Sequence, residues 1–134
     1  LEWFVTDGTP AGTTLVADLF SGIGSGADPG TAKTAVVDNT LFFTGTSTTD
    51  PTCRLFRTEG TAASTRCAYN PAVSVLGPVQ KLAATAGGAV VLSAWSAADG
   101  EELRVIGNGQ VVTLPGLDVQ PGPLGSAPSD LVVS

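Results

Sequence analysis

Twelve residues, Glu2-Trp3-Phe4-Val5-Thr6-Asp7-Gly8-Thr9-Pro10-Ala11-Gly12-Thr13, return without a gap as Arg54-Leu55-Phe56-Arg57-Thr58-Glu59-Gly60-Thr61-Ala62-Ala63-Ser64-Thr65, an offset of 52. A repeat of this length marks an array of supersecondary units, each of which buries its apolar face against neighbours and not alone. A third, worn copy opens at Glu102-Leu103-Arg104-Val105 and departs at Ile106-Gly107-Asn108-Gly109. Asn39-Thr40-Leu41-Phe42-Phe43 and Gly88-Ala89-Val90-Val91-Leu92 form a second series of matches, at an offset of 49. Two separate segments thus share nearly the same period.

Each unit reads as four short strands rich in Val, Thr, Phe and Leu, bounded by Gly, Asn, Asp and Pro. In one unit the strands are Thr34 to Asp38, Leu41 to Thr46, Cys53 to Thr58 and Thr65 to Tyr69, with Asn39-Thr40 as the first turn. The next repeats them as Lys81 to Ala86, Ala89 to Ser93, Glu102 to Ile106 and Gln110 to Leu114. Leu1 to Thr6 and Thr13 to Asp18 supply a third and fourth strand only, and Asp130 to Val133 a first strand only. The expectation is an all-β, β-propeller-like array of four-stranded antiparallel blades. Residues 1–20 form a partial blade, 32–70 and 80–115 full blades, and 129–134 the first strand of another, with Gly/Pro-rich loops at 21–31 and 116–128. Such a chain is an excerpt from a longer array or a subunit completed by another chain. It also opens inside a strand-like run, without an initiator Met or a signal-peptide pattern, so the natural N-terminus is expected elsewhere.

Composition narrows the partners. The chain is 43% hydrophobic, which excludes a disordered tail. Only 13% of residues are charged, while 17 Gly and 9 Pro supply turns. A net charge of −6 has the wrong sign for nucleic acid or anionic lipid. No apolar run approaches the roughly 18 to 20 residues of a membrane-spanning helix, so no membrane insertion is expected.

Glu2 to Thr13 closely resembles the ELWxxDGT repeat of bacterial secreted and surface proteins, whose usual form is E-L-W-x-T-D-G-T-x-x-G-T. Trp3 and Phe4 stand at its Leu and Trp positions, and Thr6, Asp7, Gly8, Thr9, Gly12 and Thr13 match it. Leu15-Val16-Ala17-Asp18 is similar to the family's L-V-K-D continuation, and Thr40-Leu41-Phe42-Phe43 to its T-L-F-F strand. The second copy keeps Leu55, Phe56, Thr58, Gly60, Thr61 and Thr65 but departs at Glu59 and Ser64, and the third keeps little beyond Glu102 and Leu103. The resemblance implies propeller-like repeated blades in large exported proteins and carries no catalytic residue with it. In physical terms the motif is a strand with bulky residues on both faces, followed by a turn in which Gly8 or Gly60 accepts positive φ.

Cys53 and Cys67 each lie seven residues from Gly60. In a hairpin centred there they face each other within disulfide reach, and a bond worth about 3 kcal/mol is expected, the alternative being two buried free thiols. A bond implies an oxidising compartment, hence an extracellular or cell-surface location. A metal site built on these thiols is disfavoured, because the chain has no His and no C-x-x-C spacing.

The absence of His also removes the usual general base and the partner of a Ser or Cys nucleophile. Glu101 and Glu102 are adjacent, so on a strand they point to opposite faces and fail as an acid–base pair; they read as the solvated start of a strand. Asp7, Asp18, Asp28, Asp38, Asp50 and Asp99 mostly sit beside turn residues, where backbone capping is the favoured role; calcium remains open as a cofactor, without an EF-hand loop to hold it. Trp3, Phe4, Phe42, Phe43, Phe56 and Trp95 are read as packing between blades in preference to a platform for sugar rings. The Gly-rich stretch Ser21 to Gly30 has no phosphate-loop signature, and Pro115 to Pro128 is its equivalent.

These features point to a noncatalytic structural or adhesive module of the bacterial exterior, mediating protein–protein assembly. Its expected partners are other copies or the rest of a larger repeat chain. The alternatives are a propeller module that binds a surface glycan or protein, and a fragment of a larger secreted propeller enzyme.

Overall fold

The computed structural model describes residues 1–27, 30–107, 110–113, 120 and 122–132. Asp28, Asn108, Gly109, Leu114 and Val133, which figure in the sequence reading, lie outside that set. Among the described residues there are ten strands in three antiparallel sheets. The first sheet pairs β1 (Trp3–Val5) with β2 (Thr14–Ala17). The second is a meander of β3 (Thr34–Val37), β4 (Thr40–Thr44), β5 (Leu55–Thr58) and β6 (Arg66–Cys67). The third repeats it with β7 (Val79–Ala84), β8 (Val90–Ser96), β9 (Gly100–Gly107) and β10 (Gln110–Thr113).

The repeat therefore folds as units of four consecutive strands. β1 and β2 correspond to β5 and β6 of the next unit. The first turn lies one residue earlier than expected: Val37 pairs with Thr40, leaving Asp38-Asn39 as the two-residue connection. Asp38 takes a φ of 51°, a left-handed conformation that Asp adopts more readily than most residues. Residues 130–132 form no strand, contrary to the expected Asp130 to Val133 element.

One core runs through all three sheets. Phe42 and Phe43 point to opposite faces of β4 and are both buried, as are Leu92, Ser93 and Ala94 in succession on β8. A central strand covered on both faces loses the apolar–polar alternation of a half-exposed sheet. Phe43 joins the sheets: its ring lies 5.0 Å from Trp3 of β1 and 5.8 Å from Phe56 of β5. β3 lies against β7, so the first strands of the two complete units are neighbours. No helix of the described residues is long and apolar enough to cross a membrane.

Candidate functional site

The DGT turn is a threonine scaffold built twice from corresponding atoms. In the first copy Thr6 Oγ1 accepts from the Gly8 N–H at 3.0 Å and contacts Thr13 Oγ1 at 2.7 Å, and Thr13 Oγ1 donates to the Thr9 carbonyl at 2.7 Å. In the second copy Thr58 Oγ1 accepts from Gly60 N–H at 3.0 Å, and Thr65 Oγ1 meets Thr58 Oγ1 at 2.8 Å and the Thr61 carbonyl at 2.7 Å. Gly8 and Gly60 both have a φ of 92°. Asp7 completes the first turn by accepting from the Thr9 N–H and hydroxyl at 2.9 and 2.8 Å. These bonds, the Thr9 backbone one first, hold its carboxyl below the usual 3.8. The motif residues are therefore turn architecture, satisfied within the chain.

The leading residue of the motif has a separate task. The Glu2 carboxylate leaves the strand and accepts backbone N–H groups from the connection to the next unit: Leu19 at 3.3 Å, Phe20 at 3.2 Å and Gly26 at 3.0 Å. Glu102 does the same one hundred positions on, taking Ser126 N–H at 2.6 Å and its hydroxyl at 2.5 Å. The two bonds span the same sequence separation, 24 residues. Backbone pairing follows suit, with Ala27 N–H donating to the Leu1 carbonyl at 3.2 Å and Ala127 N–H to that of Glu101 at 3.1 Å. Glu102 is thus not the solvated start of a strand: it is 0% exposed, and its charge is balanced by the donors of Ser126. Glu101 does point the other way, accepting from the Ser93 hydroxyl at 2.6 Å.

The middle unit lacks both halves of this clamp. Arg54 stands where the others have Glu, and the corresponding connection residue is Pro78, which has no N–H to give. Beside them opens a cleft of about 800 Å³ whose walls include Gly26, Lys33, Thr44, Arg54, Pro78 and Gln80. The Arg54 guanidinium donates only to carbonyls, those of Pro51 at 2.7 Å and Cys53 at 3.2 Å.

A second feature is apolar. Phe4 of β1 is 61% exposed, although its counterpart Phe56 in the next unit is 3% exposed. Val5, Leu15 and Val36 are exposed nearby, and Phe4, Val5, Val36 and Leu41 border a shallow groove of about 220 Å³ between the first two sheets. The difference arises because β5 is flanked by β4, whereas β1 pairs only with β2 among the described residues.

Cys53 and Cys67 are bonded, with Cα atoms 5.9 Å apart, although they are not opposed as the spacing around Gly60 suggested. Cys67 pairs with Phe56, and Cys53 lies before β5 in a turn closed by its N–H on the Asp50 carbonyl at 3.2 Å. The chain bends back at that turn, and the bend brings the sulfurs together. Asp50 also stands close to both sulfurs, but a disulfide supplies no thiolate for a metal. Asp99 pairs instead with Arg104 at 3.3 Å. Of the aromatic residues, Phe42, Phe43 and Phe56 lie in the core with Trp3 packed against it, whereas Phe4 and Trp95 are exposed and do not fit the packing role expected of them.

Glu2 and Glu102 were visible as motif positions, but their role was not; the coincident change to Arg54 and Pro78 is the sequence signal that marks it. Comparisons with protein-family models, curated proteins and solved structures found no match.

Proposed function

We propose that the chain is a noncatalytic structural or adhesive module of the bacterial cell exterior, a blade array of the ELWxxDGT type that works by assembling with other repeat units. The observation that carries this reading is Phe4: the residue that is buried between strands in the second unit lies bare in the first, beside a strand edge with no partner among the described residues. Apolar strand faces beside open edges invite strand addition. The partner is a further four-stranded unit, carried by the same longer polypeptide or by a second chain. The threonine-built turns bond internally, leaving sheet faces and edges as the contact surfaces. The disulfide requires an oxidising compartment and supports placement outside the cytoplasm.

Native mass measured across a concentration series tests the assembly. The expected result is a species heavier than one chain, which Phe4→Asp returns to the monomer without loss of β-sheet signal. A monodisperse monomer at every concentration, unchanged by Phe4→Asp, overturns the reading.

A further inference from the structure

We infer that the cleft beside Arg54 is a binding site for a sugar carboxylate, the uronate unit of an acidic polysaccharide. The site lies apart from the apolar groove, so it stands or falls independently of assembly.

Charge is the first argument. The protein carries 12 acidic and 6 basic residues, yet the described residues lining this cleft include Lys33 and Arg54 and no acid. Among the described residues Arg57 and Arg104 are ion-paired, with Glu59 and Asp99. Lys33 and Arg54 meet only carbonyls, Lys33 Nζ donating to Thr31 at 2.6 Å. Two cations line one space with no carboxylate among the described residues of its wall, in a chain rich in carboxylates. A guanidinium binds such an anion in a two-point, planar fashion, and a nearby ammonium adds to the attraction.

The origin of the space is the second argument. In the other two units the corresponding position is closed by a glutamate holding a connection N–H. Replacement of that glutamate by Arg54 and of the N–H by Pro78 reverses the charge and removes the internal ligand at once. A carboxylate from outside then supplies the group that the other units carry themselves.

The remaining walls select the ligand class. Ser25, Thr44, Thr46 and Gln80 offer hydroxyl and amide groups, while Pro78 and Val79 offer an apolar surface. A pyranose ring presents the same combination, hydroxyls at its rim and C–H groups on its face. The volume of about 800 Å³ lies within the range of small-ligand sites and accommodates more than one sugar.

Titration of the isotopically labelled protein with glucuronate, glucose and inorganic sulfate, followed by NMR amide shifts, tests the site. Glucuronate is expected to move the Lys33, Thr44, Thr46, Arg54 and Gln80 resonances in a saturable way and with declining affinity as salt rises. Glucose and sulfate are expected to bind at least about tenfold more weakly, a difference of about 1.4 kcal/mol. Arg54→Gln and Lys33→Gln should each weaken glucuronate by a similar factor, and two variants keep the test valid should one lose its fold. Equal binding of glucose removes the carboxylate from the argument, equal binding of sulfate removes the sugar, and unchanged affinity in a folded variant removes the site; any of these overturns the inference.

Discussion

A Cβ placed on Gly12 would lie 2.0 Å from Oδ1 of Asp7, so an aspartate at the head of the DGT turn demands a glycine five residues on. The second copy changes both positions together, to Glu59 and Ser64. Ser64 Oγ there accepts from the Glu59 and Thr61 N–H groups at 3.0 and 3.2 Å, taking over the Thr9 amide bond that Asp7 makes in the first copy. The two turns are alternative solutions to one backbone problem.

Coupling between these positions follows. Gly12→Ser should cost about 1 to 3 kcal/mol, since overpacking a well-filled site costs that much. The double variant Asp7→Glu with Gly12→Ser should recover at least about 0.5 kcal/mol beyond additivity, the lower bound for contacting residues. Urea unfolding of the four proteins in the cycle measures both; strict additivity refutes the coupling.

Removing the clamp carboxylate should be felt most in the last unit. Glu102→Ala takes the acceptor from the part-buried Ser126 hydroxyl and leaves the Ser126 N–H only the Glu101 carbonyl, and should lower stability by roughly 1 to 3 kcal/mol. Arg54→Glu alone should give no gain, because Pro78 has no N–H, whereas Arg54→Glu with Pro78→Ser should be more stable than either single change. Equilibrium denaturation reads the order of the variants.

The disulfide closes a loop with a sequence separation of 14. Replacing both cysteines with serine should destabilise the chain by about 3 kcal/mol through the freed unfolded state. A shift in urea midpoint that disappears when the parent is reduced checks that the bond, and not the side-chain change, is responsible.

Tyr69 is the only tyrosine, so phenolate absorbance follows one group. Burial raises its pKa above 10.0, opposed by the hydrogen bond from the Arg54 N–H at 3.2 Å. Its contribution to stability is therefore fully present below the unfolded value near 10 and is lost as pH rises through the higher folded value. Asp7 acts in the opposite direction: its folded pKa is lowered, so its contribution is present above 3.8 and is lost as pH falls through the folded value. Spectroscopic titration should place the Tyr69 midpoint above that of the urea-unfolded chain, and Asp7→Asn should flatten the acid limb of the stability curve. A Tyr69 midpoint at or below the unfolded one contradicts the assigned burial.

Much of the architecture was legible because it rests on short-range chemistry. The repeat of Thr6, Gly8, Thr9 and Thr13 at Thr58, Gly60, Thr61 and Thr65 specifies a turn whose bonds close within a few residues, and strands on either side of such turns pair as a meander. Element ends were less legible. The third-unit strands begin at Val79 and end at Ser96 and Gly107, beyond the expected Lys81, Ser93 and Ile106, because ladder pairing continues as long as a neighbouring strand offers partners.

The sequence by itself determined the period, the four-strand unit, the turn chemistry and the pairing of its two cysteines. Tertiary structure decided the register that sets Cys67 opposite Phe56, the clamp by which Glu2 and Glu102 hold connections 24 residues away, and the cleft left where Arg54 and Pro78 dispense with it. The physical reason is range. A turn is selected by groups that meet whatever the rest of the chain does, whereas a carboxylate finds a distant N–H only after sheets have packed and the connection has folded back across them.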